Sequence, residues 1–205
     1  MKKSIKSILI ISVCAVLLAF SPSVYSAEGP YVSGNIGLAM PIDSDVTISE
    51  EPGVTGDLES DKGLALGVAV GYGFGNIRAE GEIAYQKNDL DKISVGGESE
   101  DLTGDTSSLA FLLNGYYDFK NKSAFTPFIS AGLGLARVEV SDDEGDDEND
   151  TVFAYQVGAG VGYAINEKVT LDLKYRYFAT SDPEFDGVEI EYSSHNFYAG
   201  IRVAF

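Results

Sequence analysis

The chain has 205 residues, with 14 Lys and Arg against 32 Asp and Glu, one Cys, one His, 23 Gly and no Trp, for a formal net charge of -18. One cysteine excludes a disulfide framework and a thiolate zinc site. The acidity excludes nucleic acid as a partner, because phosphate binding needs clustered Lys and Arg. With 12 Tyr and 11 Phe beside so many glycines, the composition points to β structure rather than helix.

The first element is a segment to be removed. Lys2, Lys3 and Lys6 precede an apolar stretch from Ile8 to Phe20, which Ser21-Pro22 breaks. Val24-Tyr25-Ser26 then places small or compact residues at positions −3 and −1 of a cleavage site. This is the layout of a secretory signal peptide, and the apolar run is short for a transmembrane helix. Cleavage is expected after Ser26, since a cut after Ala27 would put bulky Tyr25 at −3. Cys14 follows Val13 in mid-run, so a lipoprotein signal does not fit. Residues 1–26 are therefore read as a cleaved signal peptide, which leaves a mature chain without cysteine.

From residue 27 onward no run is long and apolar enough to span a bilayer as a helix, and a period-2 pattern takes over. Leu64, Leu66, Val68, Val70 and Tyr72 alternate with Ala65, Gly67, Ala69 and Gly71. Ile77, Ala79, Gly81, Ile83 and Tyr85 oppose Arg78, Glu80, Glu82 and Gln86. Val169, Leu171, Leu173, Tyr175 and Tyr177 oppose Thr170, Asp172, Lys174 and Arg176. A strand separates such sets cleanly, whereas a helix would mix them. The pattern predicts eight strands, near 30–40, 63–73, 76–87, 107–119, 125–140, 152–165, 169–178 and 192–205. Phe74-Gly75, Lys120 to Ala124 and Asn166-Glu167-Lys168 read as tight turns, and 41–62, 88–106, 141–151 and 179–191 as long polar loops. Eight antiparallel strands with turns at one end and loops at the other make an all-β, up-and-down barrel.

Face chemistry separates a membrane barrel from a soluble one. A soluble lipocalin-like carrier turns its apolar face inward, and a membrane barrel must do the reverse because lipid cannot solvate charge. The polar face here holds Gly37, Gly67, Gly71, Gly132, Gly134, Gly158, Gly160 and Gly162, which make room for long side chains inside a narrow barrel. The apolar face carries aromatics near strand ends (Tyr31, Tyr72, Tyr85, Phe119, Phe125, Tyr163, Tyr177 and Phe205), as in the interfacial girdles of transmembrane barrels. The expected fold is thus an eight-stranded antiparallel up-and-down transmembrane β-barrel over residues 27–205. Counted over 41–62, 87–106, 141–150 and 179–191, the long loops hold 25 acids and 3 bases, so the acidity of the chain belongs to them. Inside, Arg78, Lys174, Arg176 and Arg202 balance Glu80, Glu82, Asp118 and Asp172.

The last strand ends Phe197, Ala199, Ile201, Val203, Phe205, an alternating apolar row closing on a C-terminal Phe. This looks like the signal by which outer-membrane barrels engage their insertion machinery. Five phrases carry a wider likeness: Tyr31 to Gly37 (YVSGNIG), Leu113 to Phe119 (LNGYYDF), Pro127 to Gly134 (PFISAGLG), Phe153 to Gly160 (FAYQVGAG) and Leu171 to Tyr177 (LDLKYRY). The mature chain resembles the opacity-protein-like family of small outer-membrane β-barrel surface proteins, over most strands and none of the loops. The resemblance implies a surface-exposed protein of a Gram-negative envelope, exported through the periplasm, adhesive or antigenic in some members and without shared catalysis.

Chemistry elsewhere is thin. His195, the single histidine, neighbours Ser193 and Ser194, but adjacent strand residues point to opposite faces and give no nucleophile–base pair. Asp142 to Asp150 is dense enough in carboxylates to attract calcium, yet it lacks the ligand order of an EF-hand, and a solvated hairpin loop is the preferred reading. Gly71 to Gly75 and Gly158 to Gly162 alternate along strands without a helix start or a Lys-Ser/Thr, so they are not phosphate loops. No catalytic, cofactor or metal-ligating residue is assigned. The function expected is a non-enzymatic surface or envelope protein acting through four acidic outward loops, as adhesin, antigen or barrier component. The alternatives are a narrow porin-like channel and the soluble carrier. Expected partners are outer-membrane lipid and lipopolysaccharide, the insertion machinery through the strand ending at Phe205, and divalent cations or host-surface ligands at the loops.

Overall fold

The computed structural model describes residues 28–42, 44–48, 55–60, 62–95, 98–101, 104–142, 147–181, 184–185, 188–190 and 192–205. The signal peptide expected at residues 1–26 lies outside the described residues. Eight long strands form the barrel: β1 (Gly29–Pro41), β2 (Gly63–Phe74), β3 (Ile77–Val95), β4 (Gly104–Asp118), β5 (Phe125–Asp142), β6 (Asp147–Ala164), β7 (Val169–Thr180) and β8 (Ser193–Ala204). Each pairs antiparallel with its neighbour in the chain. β1 closes on β8 from Tyr31↔Ala204 to Pro41↔Ser194, so the backbone ladder is complete around the wall. In lipid that closure is required, since an unpaired strand edge has no water to satisfy it.

The alternation expected from the sequence decides which way each side chain points. On β7, Leu171 and Leu173 are exposed while Asp172, Lys174 and Arg176 are buried. On β4, Phe111, Leu113 and Tyr117 face out while Leu112, Asn114, Tyr116 and Asp118 face in. Charge inside and apolar bulk outside is the reverse of a soluble carrier. One aromatic departs from expectation. Tyr31 is buried at 3% exposure and turned inward, so it does not belong to the outer girdle. It shares parity with Asn35 and Gly37, whereas Val32, Ile36 and Leu38 form the outward set of β1.

The short turns are set by local chemistry. Gly75 has φ 64°, the left-handed conformation that favours glycine in a two-residue hairpin. In the β4–β5 turn, Asn121 Nδ2 donates to the Phe125 carbonyl at 2.8 Å and its Oδ1 accepts from Ser123 N–H at 2.7 Å. In the β6–β7 turn, Asn166 Oδ1 accepts the Lys168 and Val169 N–H groups, both at 2.9 Å. Side chains thus hold backbone groups the turns would otherwise leave open.

At the opposite end the strands outrun the polar boundary. β3 continues to Val95 and β4 begins at Gly104, although the sequence puts the loop at 88–106. β5 runs to Asp142 and β6 starts at Asp147, within the loop expected at 141–151. Backbone pairing does not need an apolar face, so a polar stretch marks where lipid ends rather than where the strand ends. The expected loops 41–62 and 179–191 also hold short strands. Ser44–Ile48 pairs with Thr55–Ser60 and with Val188–Ile190, and Thr55–Ser60 pairs with the outer part of β3. Glu184–Phe185 and Glu98–Asp101 add the two flanks. The result is a second sheet growing out of β3.

Candidate functional site

Two features of the barrel bear on what it does: the content of its lumen and the sheet at its outer end. The charges of the lumen sit at inward positions of β3, β4, β7 and β8, where all eight of the ionic residues expected inside are buried. Arg78 Nε donates to Asp118 Oδ2 at 2.9 Å and Nη2 donates to Oδ1 at 3.0 Å, while Glu80 stands 3.6 Å from Nη1. Arg176 Nη2 reaches both oxygens of Glu82, at 2.7 and 2.6 Å. Arg202 Nη2 meets Asp172 Oδ1 at 3.1 Å. Such charge-assisted bonds offset the desolvation of groups that lipid-bound walls remove from water.

Lys174 differs from the three arginines. Its ammonium stands 5.0 Å from the Tyr198 ring centre, and no described carboxylate lies within 4.0 Å of it. The Arg176 guanidinium stands 5.1 Å from the same ring. Two buried cations therefore share one aromatic ring, whose quadrupole supplies part of the missing anion.

Neutral groups fill the remaining space. Gln156 Nε2 donates to Asn114 Oδ1 at 2.8 Å, and Asn114 Nδ2 passes the chain to Glu82 Oε2 at 2.5 Å. Ser194 Oγ donates to Gln86 Oε1 at 3.0 Å. Tyr116, Phe128, Phe178 and Tyr198 are buried, and Arg78 lies 4.1 Å from the Tyr116 ring centre. The inward glycines give these groups room, since a Cβ at Gly71 would strike the Tyr31 ring and one at Gly160 the Phe128 ring. One polar cavity of about 10 Å³ remains in this layer, between Arg78, Glu80, Asp172 and Lys174, about enough for a single water. The polar ladder Gln86–Ser194 and Gln156–Asn114–Glu82 was not singled out from the sequence. Its signal is the inward parity of amides on strands otherwise lined by glycine and charge.

The serine–histidine group does not assemble. Ser194 faces the lumen, and His195 faces out, with its Nδ1 2.8 Å from the Tyr175 hydroxyl and its ring stacked on Tyr175. Residues 143–146 of the acidic run 142–150 lie outside the described residues, and with them the calcium question.

Comparison with known proteins matches the geometry. The family described as "Outer membrane protein beta-barrel domain" covers residues 11–205. The chain is 28% identical to outer membrane protein PagN of Salmonella typhimurium, over 98% of this chain and 100% of that one. A Rickettsia conorii protein named as a candidate adhesin is 26% identical, over 73% of this chain and 70% of its own length. Among solved structures, Neisserial surface protein A superposes with a TM-score of 0.61 at 24% identity, covering 88% of this chain and 99% of that one. The chain belongs to the outer membrane protein beta-barrel domain family, and its location is the Gram-negative outer membrane.

Proposed function

We propose that the protein is a non-enzymatic adhesin, held in the outer membrane by its barrel and acting through the sheet at the outer end. The observation that carries this reading is the joining of segments 44–48, 55–60, 90–95, 98–101, 184–185 and 188–190 into one sheet continuous with β3. A continuous sheet presents a fixed surface, whereas separate loops would lose conformational entropy on binding. The name of the Rickettsia relative agrees with an adhesive role. In this reading the turns and both chain ends face the periplasm, and residues 1–26 are the export signal, cut after Ser26.

Counted over 41–62, 87–106, 141–150 and 179–191, the four outer segments hold 25 acids against 3 bases, so the partner they suit is a basic surface or one bridged by divalent cations. The contact weakens as salt screens it, over a Debye length of about 8 Å at physiological ionic strength. The test is expression of the full chain in a non-adherent Gram-negative host. Binding to cultured animal cells should rise, and should fall when 41–62 and 179–191 are replaced by short turns that leave the barrel folded. Binding that survives those replacements overturns the adhesin reading. A channel reading would need an open lumen, which the ion pairs and aromatic rings occupy.

A further inference from the structure

One strand of the outer sheet has a side that is unpaired among the described residues. Glu98–Asp101 is bound to β3 through Lys92↔Asp101, Ile93↔Glu100, Ser94↔Ser99 and Val95↔Glu98, and no other described strand pairs with it. The far side of β3 carries Thr55–Ser60, so Glu98–Asp101 is a margin of the sheet. Such a margin offers backbone N–H and C=O groups to an added strand, and natural sheets often blunt it with Lys or Pro. The residues here are Glu, Ser, Glu and Asp.

The register decides which backbone groups are on offer. Only Gly96-Gly97 separate Val95 from its partner Glu98, the spacing of a two-residue hairpin. The pair that closes such a hairpin exchanges hydrogen bonds, and bonded pairs alternate along the ladder from there. Val95↔Glu98 and Ile93↔Glu100 are therefore the bonded pairs, and the N–H and C=O groups of Ser99 and Asp101 face the open side. The barrel ladder gives the same answer independently. The Asp118 N–H donates to the Asn76 carbonyl at 2.8 Å, so even-numbered residues of β3 bond on the β4 side. A bulge at Asp91, between Leu90↔Ser60 and Lys92↔Glu59, reverses that parity. Beyond it, odd-numbered Ile93 and Val95 bond on that side.

Charge decides what can be added. Glu98, Glu100 and Asp101 put three carboxylates on four residues. A second copy offering the same margin would set acid beside acid, which disfavours self-pairing. An extended segment with Lys or Arg at alternate positions would instead place a base opposite Glu98 and another opposite Glu100. We infer that the margin Glu98–Asp101 takes up an extended, cationic segment of a partner protein as an added strand, bonded to the backbone of Ser99 and Asp101. This rests on the adhesin reading and names its partner class, a basic stretch of unfolded polypeptide.

The test uses the full mature barrel, refolded in detergent, and a labelled peptide of alternating lysine and threonine, read by fluorescence anisotropy. With lysines opposite Glu98 and Glu100, the threonine amides are the ones that meet Ser99 and Asp101. N-methylation of the threonine amides should weaken binding about tenfold, while N-methylation of the lysine amides leaves it unchanged. Ser99→Pro removes an N–H from the open side without touching a bond to β3, and should weaken binding of the unmodified peptide by a similar factor. Glu98→Gln with Glu100→Gln should do the same, whereas Asp143→Asn with Glu144→Gln should not. The methylated peptides are tested on the native chain, so the result stands even if a variant fails to fold. Equal affinity for the two methylated peptides overturns strand addition and leaves an electrostatic contact only. On cultured cells, adhesion that is lost when 41–62 and 179–191 are replaced but unchanged in Ser99→Pro overturns this inference and keeps the adhesin reading. Absence of adhesion by the native chain overturns the adhesin reading itself.

Discussion

Arg176 shows how sharply the lumen constrains single residues. It is 0% exposed, and Nη2 alone carries the bond to Glu82, while Nε and Nη1 have no partner among the described residues. Removing the guanidinium leaves the Glu82 carboxylate buried with Asn114 as its remaining donor. Arg176→Ala should therefore cost about 3–5 kcal/mol in urea unfolding from lipid vesicles. A loss below about 1 kcal/mol would mean a water-lined site. Lys174 makes the opposite case. No described carboxylate lies within 4.0 Å of it, so Lys174→Met removes a buried cation without stranding an anion among the described residues. That variant should be neutral or more stable in the same experiment. A cost as large as that of Arg176→Ala would show that Lys174 neutralises the network at longer range.

Along a strand, period 2 determines what each substitution meets. Leu173 faces lipid at 62% exposure, one residue from buried Lys174. Leu173→Arg should cost about 2–4 kcal/mol near mid-bilayer, measured by unfolding from vesicles. A cost near zero would reverse the assignment of faces. A separate expectation attaches to the last strand, as a signal for assembly. Phe205 is 72% exposed and its N–H donates to the Pro30 carbonyl at 3.2 Å, so it adds little to packing. Deleting Phe205 should leave the stability of refolded barrel almost unchanged and yet raise the amount of unassembled precursor in the periplasm. Normal assembly in cells would remove the recognition role assigned to the C-terminus. Strand faces were legible because one-residue alternation leaves no freedom once a single face is known. Tyr31 is the exception: its aromatic character suggested the girdle, but the parity of Asn35 and Gly37 on β1 places it against Arg78 inside.

For the barrel as a whole, the lumen content predicts electrical behaviour. Eight strands enclose a space that side chains just fill, and here the ion pairs of Arg78, Arg176 and Arg202, an amide ladder and the rings of Tyr31, Tyr116, Phe128, Phe178 and Tyr198 occupy it. The purified protein in a planar bilayer should show no large, steady conductance. Sustained opening, together with an Arg176→Ala variant of native stability, would restore the channel reading.

The fold class, the strand order, the inward charges and the membrane face follow from the sequence alone, because in lipid the solvent dictates which parity is apolar and short turns dictate which strands are neighbours. Which Arg meets which carboxylate does not follow. Arg176 and Glu82 are 94 residues apart, and their meeting depends on closure of β1 on β8 and on the stagger of every pair between. The open margin at Glu98–Asp101 is likewise a property of registered strands, since its pairing with β3 decides which backbone groups it presents. The outer sheet was missed for a related reason. Acidic segments read as loops, and only the three-dimensional pairing of Ser44–Ile48 with Val188–Ile190 supplies the backbone hydrogen bonds that make them strands.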